Sequence, residues 1–273
     1  MAARTGSRAI FDFSMMGEKG LHSFLRKTDP AGHVRDIKIS ATTLIGPSVK
    51  RLLKETSVEN IWVECHPRFF AEDISAVLRQ LKELSGTHHC FPIVGDLDLL
   101  AEILKDGSEI GRIVLKGCEA SGFVSAETTQ MLYSAAKAML STSSQSPDVL
   151  IWGGISTPEA AAAFLSTGAA GIVFESIHWL TDLVSIDHLK SQRLAKLRLD
   201  STNLVGLDLQ VPCRLFDKGN SFAVGEIKTF EDSLCGAEIT EESRRSFVSH
   251  VYARTLHPLE SSFSQDEVIP LGV

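Results

Sequence analysis

The sequence predicts an α/β fold built from repeated strand–helix units, and two observations carry that prediction. First, short runs rich in Ile and Val recur along the chain: Ile37–Ser40, Asn60–Cys65, Cys90–Val94, Arg112–Lys116, Val149–Trp152 and Gly171–Phe174, with Ala9–Phe13 as an earlier strand. Their brevity and their apolar residues on both faces suit strands covered by helices on two sides. Second, the segments between them have helical spacing. Strand, helix, strand in regular succession means βαβ units and a parallel sheet. Six or seven such units fit either a closed barrel or an open doubly wound sheet.

Ile74, Val77, Leu78, Leu81 and Leu84 fall on one face of a helix between Ala71 and Leu84. Leu97 to Leu104 forms a second helix, ended by Gly107, and Thr128 to Leu140 a third, followed by a polar loop over Ser141–Ser146. Pro158 to Leu165 is Ala-rich and stops at Gly168. After Leu183 the alternation breaks. A charged helix is expected over His188–Leu199, a turn-rich piece over Phe216–Ser221 and a helix around Glu241–Tyr252. The division expected is therefore a β/α barrel-like domain over residues 1–183 and a helical and hairpin extension over residues 184–273. The apolar end Val268-Ile269-Pro270-Leu271-Gly272-Val273 has no closing element, which suggests a piece of a longer protein.

Composition narrows the function classes. The 273 residues are 44% hydrophobic and 22% charged, with a formal net charge of -7. No concentrated basic patch favours nucleic acid or an anionic membrane as partner. No apolar run reaches the length of a bilayer span, and the N-terminus lacks a signal-peptide core. Cys65, Cys90, Cys118, Cys213 and Cys235 are scattered, with no C-x-x-C pair and no His cluster at zinc spacing. They read as free thiols of a reducing cytoplasm, and no metal is expected.

Ligands in parallel α/β folds bind beyond the C-terminal ends of strands. The residues just past each strand are Ser40-Ala41-Thr42, Cys65-His66-Pro67-Arg68, Gly95-Asp96, the run from Lys116 to Gly122, Gly153-Gly154-Ile155-Ser156, and Glu175-Ser176. The Gly153-Gly154 end stands out. Glycine lets backbone approach a ligand closely, and the helix that follows offers free N–H groups to an anion. Ser156 and Glu159 have capping-box spacing, and Pro158 suits a first turn. The alternative is a tight turn and nothing more. Lys116 and Glu119 flank a turn either as a charged pair facing a ligand or as a structural ion pair.

Three blocks in order resemble the nitronate monooxygenase (2-nitropropane dioxygenase-like) flavoprotein family and the related enoyl reductases of polyketide and fatty-acid synthases. The family pattern is Gly-x-Glu-Ala-Gly-Gly-His, then Gly-Gly-Ile, then Gly-Ala-x-Gly-Val-x-x-Gly-Thr. This chain has Gly117-Cys118-Glu119-Ala120-Ser121-Gly122-Phe123, Gly153-Gly154-Ile155, and Gly168-Ala169-Ala170-Gly171-Ile172-Val173-Phe174-Glu175-Ser176. Its version, with the later run from Val211 to Ser221, is most similar to flavin-barrel-like regions at the start of large modular polyketide synthases. The resemblance implies a (β/α)8 TIM-barrel-like fold with a C-terminal α+β extension. It implies FMN held by Gly117, Glu119, Ala120, Gly122, Gly153, Gly154, Glu175 and Ser176, a small-molecule or acyl substrate, and other domains of a multidomain synthase as partners. The first residues lack the family's Pro-x-x-x-x-Pro-Met strand, so one or two βα units are missing or carried elsewhere.

Two departures bear on the chemistry. Phe123 stands where the family's monooxygenases have a histidine base, and a phenyl ring cannot transfer a proton. His66 and His178 are the weak substitutes available near other strand ends. Glu175 stands where the family has glycine beside the phosphate, and a carboxylate about 4 Å from that charge costs roughly 4 kcal/mol at an effective dielectric of 20. Three classes are therefore expected, in order: an FMN-dependent oxidoreductase domain, a catalytically inactive structural or docking barrel, and another phosphate-binding barrel enzyme.

Overall fold

Alternation decides the first strands. Asp36-Ile37-Lys38-Ile39-Ser40 and Asn60-Ile61-Trp62-Val63-Glu64-Cys65 alternate polar and apolar residues, and a strand sends successive side chains to opposite faces. In the computed structural model these are β2 (Asp36–Ser40) and β3 (Asn60–Cys65), paired in parallel with Ile37 opposite Ile61 and Lys38 opposite Trp62. Ile37, Ile39, Ile61 and Val63 thus share one face, and Asp36, Lys38, Ser40, Asn60, Trp62 and Glu64 the other. All are buried. The strands are covered on both sides, as expected, but the expectation of apolar residues on both faces is corrected: one face is polar. Its charges are tolerated because they are paired, as buried charges must be. Lys38 Nζ lies 2.6 Å from Glu64 and 2.9 Å from Asp12, and Trp62 Nε1 donates to Asp36.

The structure describes residues 9–14, 17–29, 32–65, 74–105, 110–175, 196, 201–216, 222–234, 240, 242–243, 246–247 and 269–270. The remaining strands of the main sheet are β1 (Phe11–Asp12), β4 (His89–Val94), β5 (Arg112–Lys116), β7 (Asp148–Trp152) and β8 (Gly171–Val173). Their order is β1-β2-β3-β4-β5-β7-β8, and β1–β2, β2–β3, β3–β4 and β7–β8 pair in parallel. A doubly wound sheet reverses its order at a switch point, whereas a barrel adds strands in chain order. There is no reversal here. With seven strands among the described residues, this is an incomplete (β/α)8 TIM-barrel-like fold.

Helices fill the connections: α1 (Gly17–Ser23), α2 (Ala41–Leu44), α3 (Val49–Lys54), α4 (Ile74–Ser85), α5 (Leu97–Lys105), α6 (Thr129–Thr142) and α7 (Pro158–Ser166). In α4 the buried stripe is Val77, Leu78, Leu81 and Leu84, as helical spacing requires. The N-cap of α7 is Thr157, whose Oγ1 accepts from Ala160 N at 3.2 Å, with Pro158 in the first turn. The expected Ser156–Glu159 box is therefore corrected: Thr157 has the extended backbone a cap needs, and with Ala160 three residues on it caps without a reciprocal Glu.

By compactness the chain forms two units, residues 1–114 with 135–149, and residues 115–134 with 150–273. The first unit contains β1 to β4, the buried Lys38 cluster and a stacked Trp62–Phe91 pair with centroids 4.4 Å apart. The second contains a four-stranded antiparallel sheet of β6 (Gly122–Phe123), β9 (Thr202–Val205), β10 (Cys213–Phe216) and β11 (Ile269–Pro270), and also α8 (Phe222–Leu234). The helix expected over His188–Leu199 lies outside the described residues, residue 196 apart. Of the helix expected at Glu241–Tyr252, residues 242–243 and 246–247 are described and helical.

Candidate functional site

The loop after β5 is built before any ligand is considered. Gly117 N donates to Trp152 O at 3.0 Å, which ties the ends of β5 and β7. Ala120 N closes a turn onto Gly117 O, and Cys118 N donates to Glu127 O. A Cβ at Gly117 would sit 2.0 Å from Thr129 Oγ1 and 2.4 Å from Thr129 Cα, so only glycine fits where the loop meets the start of α6. Gly153 is under a similar constraint: at φ +117° its Cβ would lie 2.9 Å from both Ala120 N and Thr129 Oγ1. Gly154, at φ +66°, faces the Glu119 side chain, with Cβ, Cγ and Cδ each 3.5 Å from where a Cβ would stand. Three stretches far apart in sequence thus meet through missing side chains.

Carboxylates complete the joint. Glu119 Oε2 accepts from Thr129 N at 2.8 Å and from Thr129 Oγ1 at 2.7 Å, which places a negative charge at the N-terminus of α6. Glu175 Oε2 accepts from Ser121 N at 2.8 Å. A backbone N–H holding a charged oxygen is a strong hydrogen bond. Arg214, buried in β10, donates from Nε to Cys118 O and from Nη1 to Thr202 Oγ1 at 2.8 Å, fastening the loop to the antiparallel sheet. Lys116 is buried with Nζ 4.9 Å from the centre of the Trp152 ring, within reach of a cation–π interaction.

The structure therefore brings Gly117, Glu119, Ala120, Gly153, Gly154 and Glu175 to one place. Gly122, at φ +68°, and the buried Phe123 form β6, opposite Arg214 and Cys213. Ser176, His66 and His178 lie outside the described residues. Asp96 starts α5, its Oδ1 accepting from Asp98 N at 2.7 Å. Sequence reading missed the Ser121 N–H, Thr129 and the Lys38–Glu64–Asp12 cluster. The first has no side-chain signature, whereas the last was legible as alternation within β2 and β3. Among the described residues no group of three or more His, Cys, Asp or Glu is arranged to hold a metal ion.

Three of the thiols are shifted away from the reactive thiolate form. Burial, aided by the nearby Glu64 charge, pushes the Cys65 thiol up to about 12, and burial alone does the same for Cys90. Cys118 is also raised, by burial first and by Glu119 second. No helix among the described residues is long and apolar enough to cross a membrane.

No family model matches the sequence, and no curated protein matches it. Solved structures do. FabK from Thermotoga maritima superposes with a TM-score of 0.69 at 15% identity, over 99% of this chain and 79% of its own. The enoyl reductase domain of MlnA from the macrolactin biosynthesis cluster of Bacillus amyloliquefaciens gives 0.56 at 13% identity, over 86% of this chain and 73% of its own. Nitroalkane oxidase from Streptomyces ansochromogenes gives 0.57 at 12% identity, over 93% and 80%. At these identities the likeness shows the fold.

Proposed function

We propose that this chain is a flavin-dependent oxidoreductase domain of the enoyl reductase class, serving fatty-acid or polyketide assembly. One observation carries the reading: the three blocks that resemble the flavoprotein pattern converge on one strand-end seat, where Ser121 N–H already holds a carboxylate oxygen. Glu175 is a stand-in anion there, and it marks a place that accepts an oxyanion. The solved structures similar in fold include an enoyl reductase domain, which supports the same class. FMN is the form of flavin that the resemblance implies.

Within this reading Ser121 N–H and the Gly153-Gly154 strand end would hold the cofactor, and Glu119, fixed by Thr129, lies beside Gly154. A bound flavin would supply hydride transfer; the protein supplies binding and orientation. Phe123 transfers no proton, so the proton that must join the α carbon of a reduced alkene would come from water or from another group. The test is flavin uptake, read as absorbance between 350 and 500 nm after incubation with FMN or riboflavin, followed by consumption of reduced nicotinamide with a crotonyl thioester. A folded protein that takes up neither flavin and turns over no thioester refutes the reading.

A second reading is a non-catalytic barrel within a synthase. It is favoured by the position of Phe123, locked opposite Cys213 in the antiparallel sheet rather than replaced by another proton-transfer group. It predicts that substitution of Gly154 with Phe changes stability and leaves synthase turnover intact.

A further inference from the structure

The loop after β5 contains a tight turn whose central peptide is held from one side. Ala120 N donates to Gly117 O at 3.1 Å, which makes Gly117 to Ala120 a four-residue turn with Cys118 and Glu119 in the middle. The C=O of the peptide joining those two goes to Arg214, whose Nε donates to Cys118 O. No peptide among the described residues is cis, so the Glu119 N–H points the opposite way. Turns of types II, I′ and II′ need a positive φ at a central residue. Among the described residues only Gln210 and glycines have one, so this turn is type I. Turning the central peptide over would convert it to type II and put a C=O where the N–H now is. That direction decides what the turn offers: an N–H attracts an anionic oxygen, and a C=O repels it. Arg214 is built to fix it. The side chain is buried, its Nη1 donates to Thr202 Oγ1 at 2.8 Å, and its strand pairs with both β6 and β9, so the guanidinium cannot follow a peptide that turns over. Its described partners are a carbonyl and a hydroxyl, and burying a charge costs free energy that a packed apolar side chain would not.

We propose that Arg214 is a positioning residue for the strand-end seat: it locks the Cys118–Glu119 peptide so that the Glu119 N–H stays a donor for a phosphate oxygen of the ligand. The inference rests on the proposed function for the place of the ligand, while its core concerns any phosphate, free or carried by a flavin. A cation on the C=O also polarises the peptide and strengthens the N–H as a donor. The Glu119 carboxylate, which would repel that oxygen, has its Oε2 drawn to Thr129 N and Oγ1.

One labelling pattern isolates this peptide. Cys118-Glu119 is the only Cys-Glu sequence in the chain, so protein with cysteine labelled at the carbonyl carbon and glutamate at the nitrogen gives a single carbonyl-to-amide correlation by NMR. The full chain, Arg214→Met and Arg214→Lys are titrated with inorganic phosphate, FMN and riboflavin. Flavin affinity is read by fluorescence quenching and folding by circular dichroism. In the native chain phosphate and FMN should move the correlation, and riboflavin should move it much less. Arg214→Met should displace the correlation of the ligand-free chain and weaken FMN and phosphate binding at least about tenfold, with riboflavin affinity changed less than about threefold. Arg214→Lys keeps the charge and a donor and should recover part of the loss. FMN that binds the native chain without moving the correlation, or that binds Arg214→Met as tightly, overturns the inference and leaves the flavin reading standing. A loss shared equally by FMN and riboflavin marks a merely structural role and also overturns it. If neither variant folds, the titration of the native chain decides alone. If no flavin binds while phosphate still moves the correlation, the flavin reading falls and the inference stands; if phosphate does not move it either, both fall.

Discussion

The two units hold their carboxylates in different ways. Around Lys38 in the first unit, side chains answer side chains: one ammonium against Glu64 and Asp12. At the strand ends of the second, backbone N–H groups donate to carboxylates, Thr129 N to Glu119 and Ser121 N to Glu175, with Thr129 Oγ1 also donating to Glu119. The difference matters for function. A charge held by a partner of opposite sign is fixed and nearly neutralised. An N–H that holds a carboxylate is a donor that another oxyanion can claim. The first arrangement is architecture, and the second is where the proposed function places its ligand.

The comparison breaks most readily at Lys38. Replacing it with Met leaves the Glu64 carboxylate buried beside an apolar side chain, and losing one partner of a buried pair costs about 3–5 kcal/mol. Urea unfolding of Lys38→Met should show this loss, and pairing it with Glu64→Gln should recover a large part. The pH dependence has a definite sign. Burial disfavours the Lys38 charge, but Asp12 and Glu64 outweigh it and hold the ammonium above its ordinary range. Its contribution is therefore fully present below the unfolded-state value near 10.4 and declines as pH rises toward the folded value. The stability gap between native chain and Lys38→Met should narrow between pH 9 and pH 11. A gap that widens would mean that Lys38 is not held protonated by these carboxylates.

Next in size is Gly117. A methyl group there overlaps the backbone of Thr129, which cannot give way without moving the start of α6, so Gly117→Ala should lose about 1–3 kcal/mol. Gly154→Ala meets only ordinary contacts but adopts a left-handed conformation at φ +66°, and about 1–2 kcal/mol is expected from that alone. Thermal unfolding of the two variants separates packing from backbone strain. These glycines also show what was readable in the sequence. Gly117, Gly153 and Gly154 were visible as punctuation at strand ends, and the Ile- and Val-rich runs located the parallel strands closely. What they pack against was not visible, because Thr129 and Ala120 approach through space. The antiparallel sheet was hidden for a related reason: Gly122–Phe123 is a two-residue strand paired with Cys213 and Arg214, and nothing local marks it. The polar face of β2 and β3 was visible as alternation, yet burial on both sides made an apolar reading natural. Only the pairing of Lys38 with Glu64 and Asp12 explains why it need not be apolar.

The smallest effect sharpens the comparison most. Glu119 is a carboxylate at the N-terminus of α6, with both Thr129 N and Thr129 Oγ1 donating to it. Glu119→Gln retains an acceptor oxygen and removes the charge, so the loss is the helix-terminus electrostatic contribution, about 0.3–1 kcal/mol. Glu119→Ala removes the acceptor as well and should cost about 1 kcal/mol more, as loss of a cap does. Added salt should shrink the first loss and spare most of the second, because screening weakens charge and leaves hydrogen-bond geometry. Urea unfolding at two ionic strengths separates them. If Glu119→Gln lost nothing at either ionic strength while Glu119→Ala did, Glu119 would be acting through its bulk against Gly154 or its acceptor oxygen rather than through its charge.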